Sequence, residues 1–181
     1  MWRWGIAAAW CVNSVWAGSC WEQAEQETGI SRYLLYAVAK VESSHQPLAM
    51  AVAKKGVWLE RQPRNLEEAL RWANWFERNG YVFAVGMTQI NWPAHRKALQ
   101  ARGITLRQLL SDPCLQIREG ARILDAGFQM EGANWSGVGA YYTGPKRKLP
   151  WERYHYARKV HHWYVRYVNQ PPALVVPALP G

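Results

Sequence analysis

Glu42 closes an apolar stripe. Leu34, Leu35, Val38 and Val41 recur at the spacing of a buried helical face, and Ser43 and Ser44 follow the glutamate directly. A carboxyl carried to the edge of such a face is desolvated, which raises its pKa and fits it for general acid work near neutral pH. The bland reading is a solvated helix end. Two other segments hold polar groups in compact settings: Gly86-Met87-Thr88-Gln89-Ile90-Asn91 and Ala140-Tyr141-Tyr142-Thr143-Gly144. The amides of Gln89 and Asn91 can both donate and accept, and the Tyr141 hydroxyl can do either. Local turn chemistry is the competing use for each. Second carboxylates are scarce: the two aspartates, Asp112 and Asp125, fall in a helix start and a long helix, and Glu60, Glu67, Glu68 and Glu77 read as solvated helix charge.

The elements that must position these groups are helical nearly throughout, so the expected fold is all-α in a single domain. Cys20 to Thr28 is an amphipathic helix stopped by Gly29, and Ser31 can cap the helix ending at Glu42. After the break at His45-Gln46-Pro47 a loop follows, with a small irregular hairpin expected around Val52 to Glu60. Asn65 and Glu68 form a capping-box pattern ahead of a helix that turns Leu66, Leu70, Ala73 and Phe76 inward and ends at Asn79-Gly80. Gly86 to Asn91 reads as a turn or loop. Pro93 opens a helix ended by Gly103, Thr105 to Leu110 is a short one, and Pro113 begins a longer one with Leu115, Ile117, Ala121, Leu124 and Phe128 in the core. Asn134 to Tyr142 is a short piece, and Trp151 to Val168 is the last helix. Residues 170–181, rich in proline, read as a flexible tail.

Composition narrows the class. The chain has 181 residues, 49% hydrophobic, with 12 tryptophans, which excludes disorder throughout. Residues 1–17 read as a secretory signal, with Arg3 as the only charge and an apolar stretch from Trp4 to Val12 that is too short for a membrane span. A buried N-terminal helix is the alternative. Export would remove Cys11 and leave Cys20 and Cys114, which an oxidising compartment can bridge or which can stay as inert thiols. The formal net charge is +9, and about +8 without residues 1–17. A basic exported chain suits an anionic partner: wall polymer, membrane surface or nucleic acid.

Taken in order, Glu42-Ser43-Ser44, the Gly86–Asn91 turn and Ala140–Gly144 resemble the soluble lytic transglycosylase family, whose fold is lysozyme-like and whose motifs are Glu-Ser-Ser, Gly-Leu-Met-Gln-Ile and Ala-Tyr-Asn-Ala-Gly. The resemblance covers about Cys20 to Gly144 and is closest to the transfer-associated branch that accompanies type IV secretion and conjugation machines. Leu59 to Leu66 resembles that branch's insertion, and Cys20 and Cys114 resemble its cysteines. The resemblance implies a catalytic domain over residues 18–169, placed in the periplasm. It implies cleavage of the β-1,4 bond between N-acetylmuramic acid and N-acetylglucosamine in peptidoglycan, without cofactor or metal. By matching position Glu42 protonates the glycosidic oxygen and then takes the proton of the muramyl C6 hydroxyl, which closes a 1,6-anhydro ring. Ser43, Gly86, Gln89, Asn91 and Tyr141 become the substrate-binding set, with Gly86 letting the backbone pass close to the glycan and Tyr141 holding Glu42 through its hydroxyl. The scarcity of second acids fits a mechanism with one carboxylate, since ordinary glycosidases need two, ~5 Å apart or roughly 6.5 to 9.5 Å apart.

Departures are visible. Gln46 stands for the usual Asn, Ala51 for a polar residue, Met87-Thr88 for Leu-Met, and Tyr142 for the Asn after the tyrosine. A hydrolytic muramidase of similar fold and a non-catalytic wall-binding or assembly protein are the competing readings. Trp58, Trp72, Trp75, Trp92 and Trp135 offer faces for sugar stacking or for the core, with Trp92 expected at the cleft border. The basic residues Lys146 to Lys148, Arg153, Arg158, Lys159 and Arg166 alternate with aromatics. That pattern suits a solvated helix face, with docking to anionic wall or peripheral membrane components as the alternative, and a nucleic-acid platform disfavoured for an exported chain. His155, His161 and His162 lack partners at zinc spacing.

Overall fold

A computed structural model describes residues 19–53, 57–145 and 149–181. The expected secretory signal and the Lys146–Lys148 run lie outside the described residues. The fold is mostly helical, as the sequence predicts: α1 (Cys20–Thr28), α2 (Arg32–Ser43), α3 (Leu66–Arg78), α4 (Trp92–Gln100), α5 (Leu106–Ser111), α6 (Pro113–Glu131), α7 (Trp135–Thr143) and α8 (Pro150–Asn169). Three short strands, β1 (Met50–Val52), β2 (Phe83–Val85) and β3 (Ile90–Asn91), complete it.

Local chemistry sets the helix ends. Ser19 and Glu22 make a reciprocal capping box on α1, and Gly29 stops it at φ 70°. Ser31 precedes α2 without a side-chain cap bond. On α3 the box is only half formed: Asn65 accepts from the Glu68 N–H, but the Glu68 carboxylate turns to the Arg64 N–H and the Arg61 guanidinium instead of the cap. A charged partner outcompetes a neutral amide there. Asp112 caps α6, as its place before Pro113 suggests.

The sheet is antiparallel in the order β1-β2-β3, with Met50 opposite Val85 and Val85 opposite Ile90. It corrects the expected local hairpin at Val52 to Glu60: Val52 pairs with Phe83, and Trp58 to Glu60 carry no strand. Alternation selects these residues, since Phe83 and Val85 are buried while Ala84 between them is half-buried. At the outer edge Gln62 acts as a substitute neighbour. Its side-chain carbonyl accepts the Met50 N–H at 2.7 Å, and its amide donates to the Met50 carbonyl at 3.2 Å.

Two apolar clusters flank the sheet side and the helix side. One gathers Trp21, Val38, Leu124 and Val160 from α1, α2, α6 and α8; the other gathers Phe83, Ile90, Trp92, Leu99 and Leu110 around the sheet. Helix α6 joins them, with Leu115 in the second cluster and Ile117 and Ala121 in the first. A Cys20–Cys114 disulfide fastens the start of α1 to the start of α6, Cα atoms 5.2 Å apart. Residues 170–181 form no helix or strand, but Leu174 and Val176 pack on the first cluster and Trp21 Nε1 donates to the Val175 carbonyl at 3.4 Å. Among the described residues no helix is long and apolar enough to cross a membrane.

Candidate active site

Glu42 sits in the last turn of α2. The helix ends just beyond it because Ser44 and His45 take positive φ values of 54° and 65° and close back onto the carbonyls of Lys40 and Ala39. His45 holds that geometry by stacking on Tyr36, ring centroids 3.9 Å apart, with Nε2 3.0 Å from the Tyr36 carbonyl. Glu42 thus projects from a fixed terminus into a cleft of about 440 Å³ whose other walls are β1, β2, β3 and the turn before it, α4, α6 and α7.

Burial pushes the Glu42 carboxyl from 4.5 up to about 7, opposed in part by the Tyr156 hydroxyl, which donates to Oε1 at 2.6 Å and favours the ionised form. The negative end of the α2 dipole disfavours the carboxylate as well. Glu42 is the only carboxylate among the described residues lining the cleft. Four other acids are engaged elsewhere: Glu67 with Arg107, Glu68 with Arg61, Glu77 with Arg96, and buried Glu119 with Arg102.

The structure brings Glu42, Gln89, Asn91 and Tyr141 to one cleft. Gln89, at φ 49°, spends its amide nitrogen on the carbonyls of Ala49 and Gly86, at 3.0 and 2.9 Å. Asn91 caps α4 by accepting from the Ala94 N–H at 3.2 Å.

Ser43 and Gly86 do not line the cleft; they secure the turn beneath it. Ser43 Oγ donates to the Met87 carbonyl at 2.8 Å, linking the end of α2 to the turn. Gly86 makes room for a neighbour on α6: at φ 83°, an added Cβ would meet the Gln116 side chain at 2.6 Å. Gln116 is fully buried and fully bonded, accepting the Met87 N–H at 2.8 Å and donating to the carbonyls of Pro47 and Leu109 at 3.0 and 2.9 Å. The interlock is reciprocal, because a Cβ on Gly120 of α6 would meet Thr88 of the turn at 2.7 Å.

Two expectations are corrected. The Tyr141 hydroxyl donates to the Thr88 carbonyl at 2.5 Å, and Tyr156 of α8 is the residue that holds Glu42. Trp92 is 2% exposed and donates to Glu77 at 3.1 Å, so it belongs to the core under the sheet, not to the cleft border. Tyr156 was masked by its setting in a basic, aromatic helix. Its signal was the inward spacing Tyr156, Val160, Tyr167, since a tyrosine on a buried face needs a partner for its hydroxyl. His95, also on the cleft wall, sat among the polar residues of α4 with no pattern to mark it; burial lowers its pKa, opposed in part by Glu119. On α8 the interleaved bases and aromatics do not form one stacking face. Tyr156 and Tyr167 turn inward, and Lys40 and Arg166 lie over the Trp163 ring.

A cleft with a single carboxyl that is proton-ready near neutrality can transfer a proton to a leaving oxygen and recover one from an attacking hydroxyl. Comparison with known proteins gives this geometry its context. The family described as "Transglycosylase SLT domain" matches residues 19–164. Invasion protein IagB of Salmonella typhimurium is 34% identical over 149 residues, covering 82% of this chain and 76% of that protein. Protein IpgF of Shigella flexneri is 30% identical over 147 residues, 81% of this chain and 80% of that one. Type IV secretion system protein virB1 of Brucella abortus is 33% identical over 117 residues, 60% of this chain and 46% of that one.

Proposed function

The chain belongs to the transglycosylase SLT domain family and is a peptidoglycan lytic transglycosylase by that membership, and we propose that Glu42 alone carries both of its proton transfers. The carrying observation is that Glu42, the one carboxyl among the described residues lining the cleft, is held near pKa 7 by burial and oriented by Tyr156. Protonated Glu42 gives its proton to the glycosidic oxygen as the bond from C1 of N-acetylmuramic acid breaks. The carboxylate then takes the proton of the C6 hydroxyl as that oxygen bonds to C1, which closes the 1,6-anhydro ring and restores the acid. No water enters the product. The Gln89 carbonyl and the Asn91 amide nitrogen, the parts not used in the turn and the cap, contact acetamido and hydroxyl groups of the glycan. Ser43 and Gly86 act through the turn that carries Gln89.

Two similar proteins bear names of secretion or invasion, type IV secretion system protein virB1 and invasion protein IagB. That likeness supports an exported protein that opens the wall locally for a secretion or conjugation machine, with residues 1–17 as its export signal and residues 18–169 as the catalytic domain.

The test is to incubate the protein, and separately Glu42→Gln, with purified peptidoglycan and weigh the released muropeptides. Anhydro products, lighter by one water and missing from the variant, are expected. Full-mass reducing ends would make the protein a muramidase, and product from the variant would remove Glu42 from the chemistry.

A further inference from the structure

One of the residues that departs from the family pattern is also the most exposed ring in the cleft. Tyr142 is 60% exposed, lines the same cavity as Glu42, and lies nearly parallel to Tyr156, with centroids 5.2 Å apart and planes 12° apart. Tyr141 is almost parallel to Tyr156 too, at 6.2 Å and 13°. Three near-parallel rings therefore stand beside the acid, and the outermost is open to the cleft.

Beyond Glu42, Gln89, Asn91 and His95 the cleft wall is largely apolar. Ala51, Ala53, Val82 and Ala84 present no side-chain hydrogen bonds, and the Tyr141 hydroxyl is spent on Thr88. A pyranose whose substituents are equatorial shows an apolar C–H face, and an exposed aromatic ring is the side chain that matches it. The geometry points to Tyr142 as a substrate-contact residue: a stacking platform for the C–H face of an N-acetylated pyranose at the position bordering Glu42. This rests on the reading of the cleft as a glycan site. The ring also sets specificity, because a flat platform accepts a sugar face while an amide at this position would instead bond to individual hydroxyls.

The experiment uses the full chain in a Glu42→Gln background, so that glycan binds without being cut. The probe is a tetrasaccharide of alternating N-acetylglucosamine and N-acetylmuramic acid, titrated calorimetrically. Tyr142→Ala is expected to weaken binding roughly tenfold, and Tyr142→Phe and Tyr142→Trp to stay within about threefold of the parent, the size of effect that one aromatic contact produces. With Glu42 intact, Tyr142→Ala should raise KM more than it lowers kcat. Unchanged affinity in Tyr142→Ala overturns the proposal, as does a loss in Tyr142→Phe equal to that in Tyr142→Ala. A shifted pH limb of kcat at unchanged affinity also overturns it, because Tyr142 would then act only by packing Tyr156. If the Glu42→Gln parent itself fails to bind the tetrasaccharide, the glycan reading of the cleft fails, and Tyr142's part in it fails too. Thermal melts of each variant show whether any loss reflects unfolding.

Discussion

The Tyr156 hydroxyl donates a 2.6 Å hydrogen bond to the Glu42 carboxyl across 114 positions of sequence. The bond opposes the burial that raises the Glu42 pKa, so the same tyrosine that aims the acid also limits how reluctant it is to ionise. A carboxyl at about 7 can be found in either protonation state near neutrality, which suits a group that must first give and then take a proton.

Tyr156→Phe should therefore slow the enzyme by roughly tenfold through lost aim, about the worth of one hydrogen bond to a charged group. It should also move the alkaline limb of its pH–rate profile upward. The lost donor favoured the carboxylate, so without it Glu42 stays protonated to higher pH. A limb that stays in place or moves down would show that the bond does not set the acid's pKa.

Glu42 also has a cost in stability. Its pKa in the folded chain lies above its ordinary 4.5, so the native state holds the proton more tightly. Its contribution is fully present below about pH 4.5 and is lost as the pH rises through about 7. Glu42→Gln should then be more stable than the parent at pH 8 by about 3 kcal/mol, and close to it at pH 4. Urea unfolding at the two pH values reads the difference directly; equal stability at pH 8 would count against the burial argument.

Gly86→Ala should destabilise by roughly 2–4 kcal/mol, since it forces both a clash and a disfavoured φ. The added Cβ meets Gln116 at 2.6 Å at a backbone φ of 83°. Combining it with Gln116→Ala should cost less than the sum of the two, because the double variant removes the clash. A strictly additive cycle in denaturant melts would mean that the two side chains do not press on each other.

Reduction of the Cys20–Cys114 disulfide, or its replacement by serines, should lower unfolding free energy by about 2–5 kcal/mol, as expected for a long closed loop. The bridge spans 94 positions. Thermal melts with and without reductant are sufficient to see it.

Periodicity made the helices readable because each reports its own buried face: α1 is confined by Ser19 and Gly29, and α6 by Asp112 and the run Leu115, Ile117, Ala121 and Leu124. Glu42 was readable for the same reason, as the end of such a face. What sequence spacing does not carry is the identity of a distant partner. The strand at Met50 has three residues and pairs with a segment beyond α3, so it looks like loop. Gln116 looks like an ordinary polar helix residue until its three bonds to Met87, Pro47 and Leu109 are formed. Tyr156 is one aromatic among many on α8, and only the packing of α8 against α2 gives its hydroxyl to Glu42.

The amide of Gln62 has a consequence for how copies of this protein meet. β1 is one edge of its sheet, and an edge strand's unpaired N–H and C=O groups invite another chain to continue the ladder. At Met50 both groups are already taken by one side chain that imitates a neighbouring strand. With only Ala51 and Val52 left in the strand, too short a stretch remains to template a second molecule. On this side of the sheet, crowded copies therefore find little to continue.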